Sequence, residues 1–193
     1  MIRAIVFDCF GVLATDGWLP FKTRYFGQDA QKFQEASDLG RAADAGLIGF
    51  DEFIEHVALL ANMPDADARH QIENNVPNEA LFVYIARELK ARYKIGMLSN
   101  AGANWLSELF TPEQVALFDA VALSYETGAL KPTPRAYEVI AERLRVQPQE
   151  CVFIDDQTRY CAGATESGMV AICYTDFDTM QHDLARVLAD AKE

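Results

Sequence analysis

The sequence predicts an open, parallel α/β sheet with helices on both faces, interrupted after its first strand by an all-helical insert. Three observations carry this prediction. Residues 2–7 form a short run rich in Ile and Val that ends at Asp8, the composition of a strand buried on both sides. After Arg92 strand-like and helical segments alternate to the carboxyl end, the pattern of parallel strands joined by crossover helices. Between them, from about Asp16 to Arg92, only helical periodicities occur.

The elements follow in order. The first strand contains a single charged residue, Arg3, and runs into FGVLA. The insert opens with a helix near Pro20 (PFKTRYFG) and continues with one over about 29–45. A third, GFDEFIEHVALLA, places Phe53, Val57 and Leu60 on one face. DADARHQIENN and NEALFVYIARELKARY follow, the latter with an apolar stripe through Leu81, Ile85 and Leu89. Beyond it KIGMLS reads as a strand, NWLSELF as a helix, FDAVALS as a strand and PRAYEVIAERLRV as a helix. CVFIDD is then a strand, TRYCAGATESG a helix, VAICY a strand and DTMQHDLARVLADAKE a closing helix. This divides the chain into a Rossmann-like core of residues 1–15 and 92–193 and a helical insert of residues 16–91.

Composition narrows the function classes. At 193 residues, half of them hydrophobic, the chain can bury a substantial core. A net charge of −12 argues against nucleic acid or anionic membranes as partners, and no apolar stretch reaches the ~20 residues of a membrane span. The amino terminus enters a strand without signal-peptide architecture, so a cytoplasmic location is expected. The four cysteines form no CxxC pair, and Cys9, Cys151 and Cys173 lie in or beside strand-like runs; buried, reduced thiols are expected. Neither a heptad pattern nor an exposed apolar stripe specifies an oligomeric state.

Open parallel sheets bind ligands outside the carboxyl ends of their strands, and this sequence loads those ends. Asp8 follows the first strand, Ser99-Asn100 the second and Asp155-Asp156 the fourth, while Lys131 lies in the loop after the third. Each has an ordinary reading alone: an Asp after a strand turns the chain, Ser or Asn starts a helix, and a loop Lys is usually solvated. Together they have a chemical one. Carboxylates converging at one point repel each other and are costly without a cation, and magnesium prefers carboxylate oxygens. An Asp beside such an ion can attack phosphorus and form an aspartyl-phosphate. Ser99 Oγ and nearby backbone N–H groups would hold phosphate oxygens, with Lys131 as a second positive pole.

The ordered segments VFDCFGVL, MLSN, GALKPTPRAYEVI and VFIDDQTRYCAGATESGM resemble the four motifs of the haloacid dehalogenase superfamily, and the likeness spans nearly the whole chain. The helical insert resembles the helical cap of that family. By this resemblance Asp8 is the nucleophile. Mg2+ is held by Asp8, the backbone carbonyl of Phe10, and Asp156, with Asp155 adjacent or coordinating. Phe10, Ser99, Asn100 and Lys131 contact the substrate, a small phosphorylated metabolite.

One position departs from the pattern. Phosphatases of this family usually carry a second Asp two residues after the nucleophile, as general acid and base; here that residue is Phe10. The backbone carbonyl survives the change, but the proton donor does not. Two other readings follow. An aromatic residue at this position resembles the 2-haloacid dehalogenases, which need no leaving-group acid, although Asp155-Asp156 and Val12 fit them poorly. A phospho-ligand-binding protein with little turnover would also tolerate Phe10. Trp18, Phe21, Tyr25 and Phe26 read as core of the insert or as a wall of the site. Arg24 and Arg41 read as solvated or as contacts to a second anionic group. Trp105 reads as packing. His56, His70 and His182 show no ligand-like spacing, though a histidine of the insert is one source for the missing proton.

Overall fold

The computed structural model describes residues 1–190; the last three residues of the expected closing helix lie outside the described residues. Five parallel strands form one sheet: β1 (Ala4–Phe7), β2 (Lys94–Ser99), β3 (Ala120–Leu123), β4 (Cys151–Asp155) and β5 (Val170–Cys173), in the spatial order β3-β2-β1-β4-β5. Every strand stands where the sequence places one. β1 pairs with β2 on one side and β4 on the other, Phe7 lying opposite Met97 and Ile154. From β1 the order runs outward through β2 to β3 on one side and through β4 to β5 on the other. The switch point therefore falls at the carboxyl ends of β1 and β4, where an open α/β sheet leaves a crevice.

Side chains alternate along the central strand, as the pleat requires. Ile5 and Phe7 join one apolar cluster with Ile95, Met97 and Ile154, whereas Ala4 and Val6 join another with Leu98 and Phe153. The helices of the insert are α1 (Trp18–Phe26), α2 (Ala30–Asp44), α3 (Phe50–Ala61) and α4 (Asp65–Glu73); α5 (Glu79–Tyr84) follows and continues as a π-helical turn, Ile85–Leu89. Short helices α6 (Leu106–Leu109), α7 (Pro112–Val115) and α8 (Ser124–Thr127) flank β3. The chain closes with α9 (Pro134–Leu144), α10 (Thr158–Glu166) and α11 (Phe177–Asp190). α9 and α10 cover one face of the sheet, and α5 and α11 supply buried residues to the other.

Helices α1–α4 bury a third cluster of their own, built on Phe21, Phe26, Phe53, Ile54, Val57 and Ile72. The early aromatics of the insert are thus mainly its core, with Trp18 packed edge-on against Phe53. Local chemistry explains the boundaries. Asp29 caps α2 by accepting from the N–H groups of Gln31 and Lys32, and α3 stops at Asn62 in the left-handed conformation that Asn tolerates.

The sequence division at residue 91 is displaced by the packing. Leu81, Ile85 and Leu89 are fully buried in the sheet's cluster and not in that of the insert, so α5 groups with the core. The insert is joined through two antiparallel segments, in which Thr15 N–H donates to the Val76 carbonyl and Asn78 N–H to that of Leu13. The Asn78 side chain donates to the Val12 carbonyl and to the Tyr174 hydroxyl, while capping α5. A second expectation is corrected at Cys173. It is exposed, because it ends the edge strand, whereas Cys9, Cys151 and Cys161 are buried; all four are free thiols. Among the described residues no helix is long and apolar enough to cross a membrane.

Leu89→Ala is expected to cost about 2–5 kcal/mol in urea unfolding, the usual range for emptying a core site. Leu59→Ala, at an exposed position, should stay within about 0.5 kcal/mol. Equal effects would contradict the grouping of α5 with the sheet.

Candidate active site

The carboxyl ends of β1 and β4 bring three carboxylates together: single oxygens of Asp8, Asp155 and Asp156 lie within 4.8 Å of one another. Between two of them sits Lys131, whose Nζ is 2.7 Å from Asp8 Oδ1 and 2.6 Å from Asp155 Oδ2, its side chain fully enclosed. The sequence places these four residues at one edge of the sheet, and the structure gathers them there, with Lys131 touching Asp8 and Asp155.

Asn100 and Tyr160 hold the lysine in place. The Asn100 side chain accepts from the Lys131 N–H (2.8 Å) and donates to the Lys131 carbonyl (3.1 Å). Its amide nitrogen also donates to the Tyr160 hydroxyl (3.4 Å), so the side chain is committed to Lys131 and Tyr160. The Tyr160 ring lies under the ammonium, 4.7 Å from Nζ to centroid, within reach of a cation–π attraction. Arg159 donates to the Tyr160 hydroxyl at 2.7 Å. Sequence reasoning missed Tyr160, because an aromatic in the first turn of α10 reads as packing; its place four residues after Asp156 was the available signal. Ser99 is buried beside this group, its Oγ only 3.3 Å from the Asn100 carbonyl.

The two acidic residues at the end of β4 differ. Asp155 is satisfied on both oxygens, by Lys131 and by the Gln157 N–H. Asp156 is not: its Oδ1 is buried with no hydrogen-bond partner, an arrangement that costs stability unless something else meets the oxygen. Gly11 makes room for it. A Cβ at Gly11 would lie 2.6 Å from the Asp156 carboxyl carbon, and its φ of +93° is one that other residues rarely adopt. Among the described residues no backbone N–H outside the helices and strands reaches the Phe10 carbonyl.

Charge explains the titration of the cluster. Three carboxylates against one ammonium leave two uncompensated negative charges, the complement of one divalent cation. Burial pushes the Asp8 carboxyl up to about 8; Lys131 opposes the rise and Asp155 adds to it. Burial, then the charges of Asp155 and Asp16, push Asp156 up to about 6. On Lys131, burial works to remove the proton, but Asp8 and Asp155 hold it and raise the affinity well above that of a free lysine. An oxygen donor set with an orphaned carboxylate oxygen fits magnesium.

The Phe10 ring is half-buried and packs on Trp105 with centroids 4.7 Å apart. No acid stands at this position, and Trp105 packs against Phe10, Phe110 and the core, as expected. Arg41 pairs with Asp38 on the surface of the insert, the solvated reading. His56 and His70 stay on helices of the insert and His182 on α11, and none joins the cluster.

A family model described as haloacid dehalogenase-like hydrolase matches residues 2–168. The chain is 33% identical over 202 residues to phosphatase MT3486 of Mycobacterium tuberculosis, covering 88% of this chain and 86% of that protein. It is also 33% identical to bifunctional epoxide hydrolase 2 of Sus scrofa, over 96% of this chain and 39% of that one. Among solved structures, a HAD family enzyme of Bacteroides thetaiotaomicron in complex with magnesium and inorganic phosphate aligns with a TM-score of 0.70 at 24% identity, covering 93% of this chain and 99% of that chain. The L-2-haloacid dehalogenase of Xanthobacter autotrophicus gives 0.64 at 20%, over 96% and 83%. Both structural likenesses establish the fold.

Two measurements test the electrostatics. Lys131→Ala leaves Asp8 and Asp155 buried without their cation, and a loss of about 3–5 kcal/mol in stability is expected. In EDTA, the raised Asp8 and Asp156 make the folded state bind more protons than the unfolded state. Their stability cost is absent below about pH 4 and accrues as pH rises, to about 6 for Asp156 and about 8 for Asp8. The unfolding midpoint should therefore fall across that window, and Asp8→Asn should flatten its upper part.

Proposed function

Because the chain belongs to the haloacid dehalogenase-like hydrolase family, we propose that it is a magnesium-dependent phosphatase that transfers the phosphoryl group of a small phosphorylated metabolite to Asp8. The observation that carries the reading is the buried Asp156 Oδ1 without a partner, beside a cluster two charges short of neutrality. Such a site is built to receive a divalent cation, and the magnesium and phosphate held by the Bacteroides enzyme support that assignment.

Asp8, the Phe10 carbonyl and Asp156 would hold magnesium, with Asp155 beside them, and the bound ion would neutralise phosphoryl oxygens and favour the ionised, nucleophilic form of Asp8. The Asp8 carboxylate attacks phosphorus, the bond to the leaving oxygen breaks, and water later cleaves the aspartyl-phosphate. Lys131 holds charge on the transferring group, while Ser99 Oγ and backbone N–H groups after β2 orient its oxygens. Asn100 and Asp155 act through Lys131 by fixing it. Helices α1–α4 form a cap over the crevice, and its closure would exclude water. The net charge of −12 makes this local positive pole the source of attraction for an anionic substrate. The free thiols suit a reducing cytoplasm.

Phe10 also favours a second reading, 2-haloacid dehalogenation, which needs no leaving-group acid. The orphaned Asp156 oxygen weighs against it, since a metal-free site has no use for that group.

Purified protein should hydrolyse acetyl phosphate and p-nitrophenyl phosphate only with magnesium, and Asp8→Asn should abolish turnover and the covalent phosphoenzyme. Magnesium should raise the unfolding temperature of the wild type and act much more weakly on Asp156→Ala. Turnover of 2-haloacids, or no turnover of any phosphate ester, would sink the phosphatase reading.

A further inference from the structure

The proposed reaction leaves a chemical gap. With Phe10 in place of an acid, an alkoxide leaving group has no proton donor from the first motif. We propose that Asp44, the last residue of α2, is the general acid that protonates the leaving oxygen, so that the helical insert supplies what the core lacks. This rests on the phosphatase reading above.

The insert is fastened to the site at this residue. Ser124, directly after β3, donates from Oγ to the Asp44 carbonyl at 2.5 Å and accepts from the Ala101 N–H at 2.9 Å. A single hydroxyl thus ties the end of α2 to the loop that follows Ser99. Gly102 in that loop lies against the insert, where a Cβ would approach the Ala43 carbonyl at 3.2 Å. The contact holds the end of α2 over the carboxyl ends of β2 and β3.

The Asp44 side chain is half-buried, and among the described residues no hydrogen bond to its carboxyl contributes to its titration. It is close enough to Lys131, Arg159 and Asp16 to respond to their charges, and Tyr160 responds to its own. These four groups come from the lysine loop, α10 and the start of the insert. Burial pushes its affinity for a proton up to about 6, against the pull of Lys131 and Arg159. The negative end of the α2 dipole favours the neutral acid in the same direction. A donor poised near neutrality is what leaving-group protonation needs.

Asp16 is the competing carboxyl, and its geometry is less suitable. Its Oδ1 accepts from the N–H groups of Trp18 and Leu19 at the start of α1; burial still raises its proton affinity, but these bonds oppose the rise and fix the carboxyl on the backbone.

In the step proposed, Asp8 Oδ forms the bond to phosphorus as the phosphorus–oxygen ester bond breaks. The departing electron pair takes the proton from the Asp44 carboxyl, giving a neutral alcohol, an aspartyl-phosphate on Asp8 and a carboxylate on Asp44. The water that later cleaves the aspartyl-phosphate returns a proton to the cycle.

The test compares kcat/KM for acetyl phosphate, whose leaving carboxylate needs no proton, with that for sugar phosphates and glycerol 3-phosphate. Asp44→Asn, Asp44→Glu and Asp16→Asn are measured beside the wild type, with unfolding midpoints for each. Asp44→Asn should lose ~100- to 10,000-fold more on the alkyl esters than on acetyl phosphate. It should also lose the alkaline fall of the wild-type alkyl-ester profile, and Asp44→Glu should recover part of the rate. Equal losses on both substrate classes would reduce Asp44 to a structural role and overturn the proposal. So would a selective loss in Asp16→Asn instead, or a wild type that cleaves acetyl phosphate but no alkyl ester. A wild type inactive on acetyl phosphate as well would mark failure of the phosphatase reading itself.

Discussion

The buried ion cluster at the ends of β1 and β4 is the constraint around which the molecule is organised. Lys131 answers two carboxylates at once, and Asp156 stands beside them unanswered. Burying such a group is unfavourable unless each charge is met, so the surrounding fold must hold it at a cost. The five-stranded sheet meets that need by placing the switch point between β1 and β4 and packing apolar layers on both faces. Stability elsewhere sustains a site that, without a cation, works against the fold.

That arrangement divides labour among the residues. Gly11 leaves the space into which Asp156 points, and Asn100 fixes the backbone of Lys131 from both sides. Tyr160 and Phe153 present ring faces to the ammonium, so the positive pole is both enclosed and aimed. Phe10, two residues after Asp8, packs its ring against Trp105. The acid proposed for this chemistry comes instead from the end of α2, which Ser124 ties to the loop after Ser99.

The helical insert is a second packing unit with its own aromatic centre. It meets the core through the paired segments near Ala14 and Pro77 and through the hydroxyl of Ser124. Backbone packing of Gly102 against Ala43 adds a further point of contact.

The sequence by itself determined the strands, their parallel order class and the residues at their ends. A β-branched run ending in Asp8 and the alternation after Arg92 are local signals, and strand-end placement follows from topology alone. Three features depended on tertiary structure. The helix carrying Leu81, Ile85 and Leu89 shows the same stripe whether it packs on the insert or on the sheet, and only the partner surface assigns it to the sheet. The second role of Asn100 and the place of Tyr160 arise from contacts spanning 31 and 60 residues, which no periodicity records. Asp44 gains meaning only where α2 ends against the core, because a carboxyl's protonation is set by what surrounds it in space and not by its neighbours along the chain.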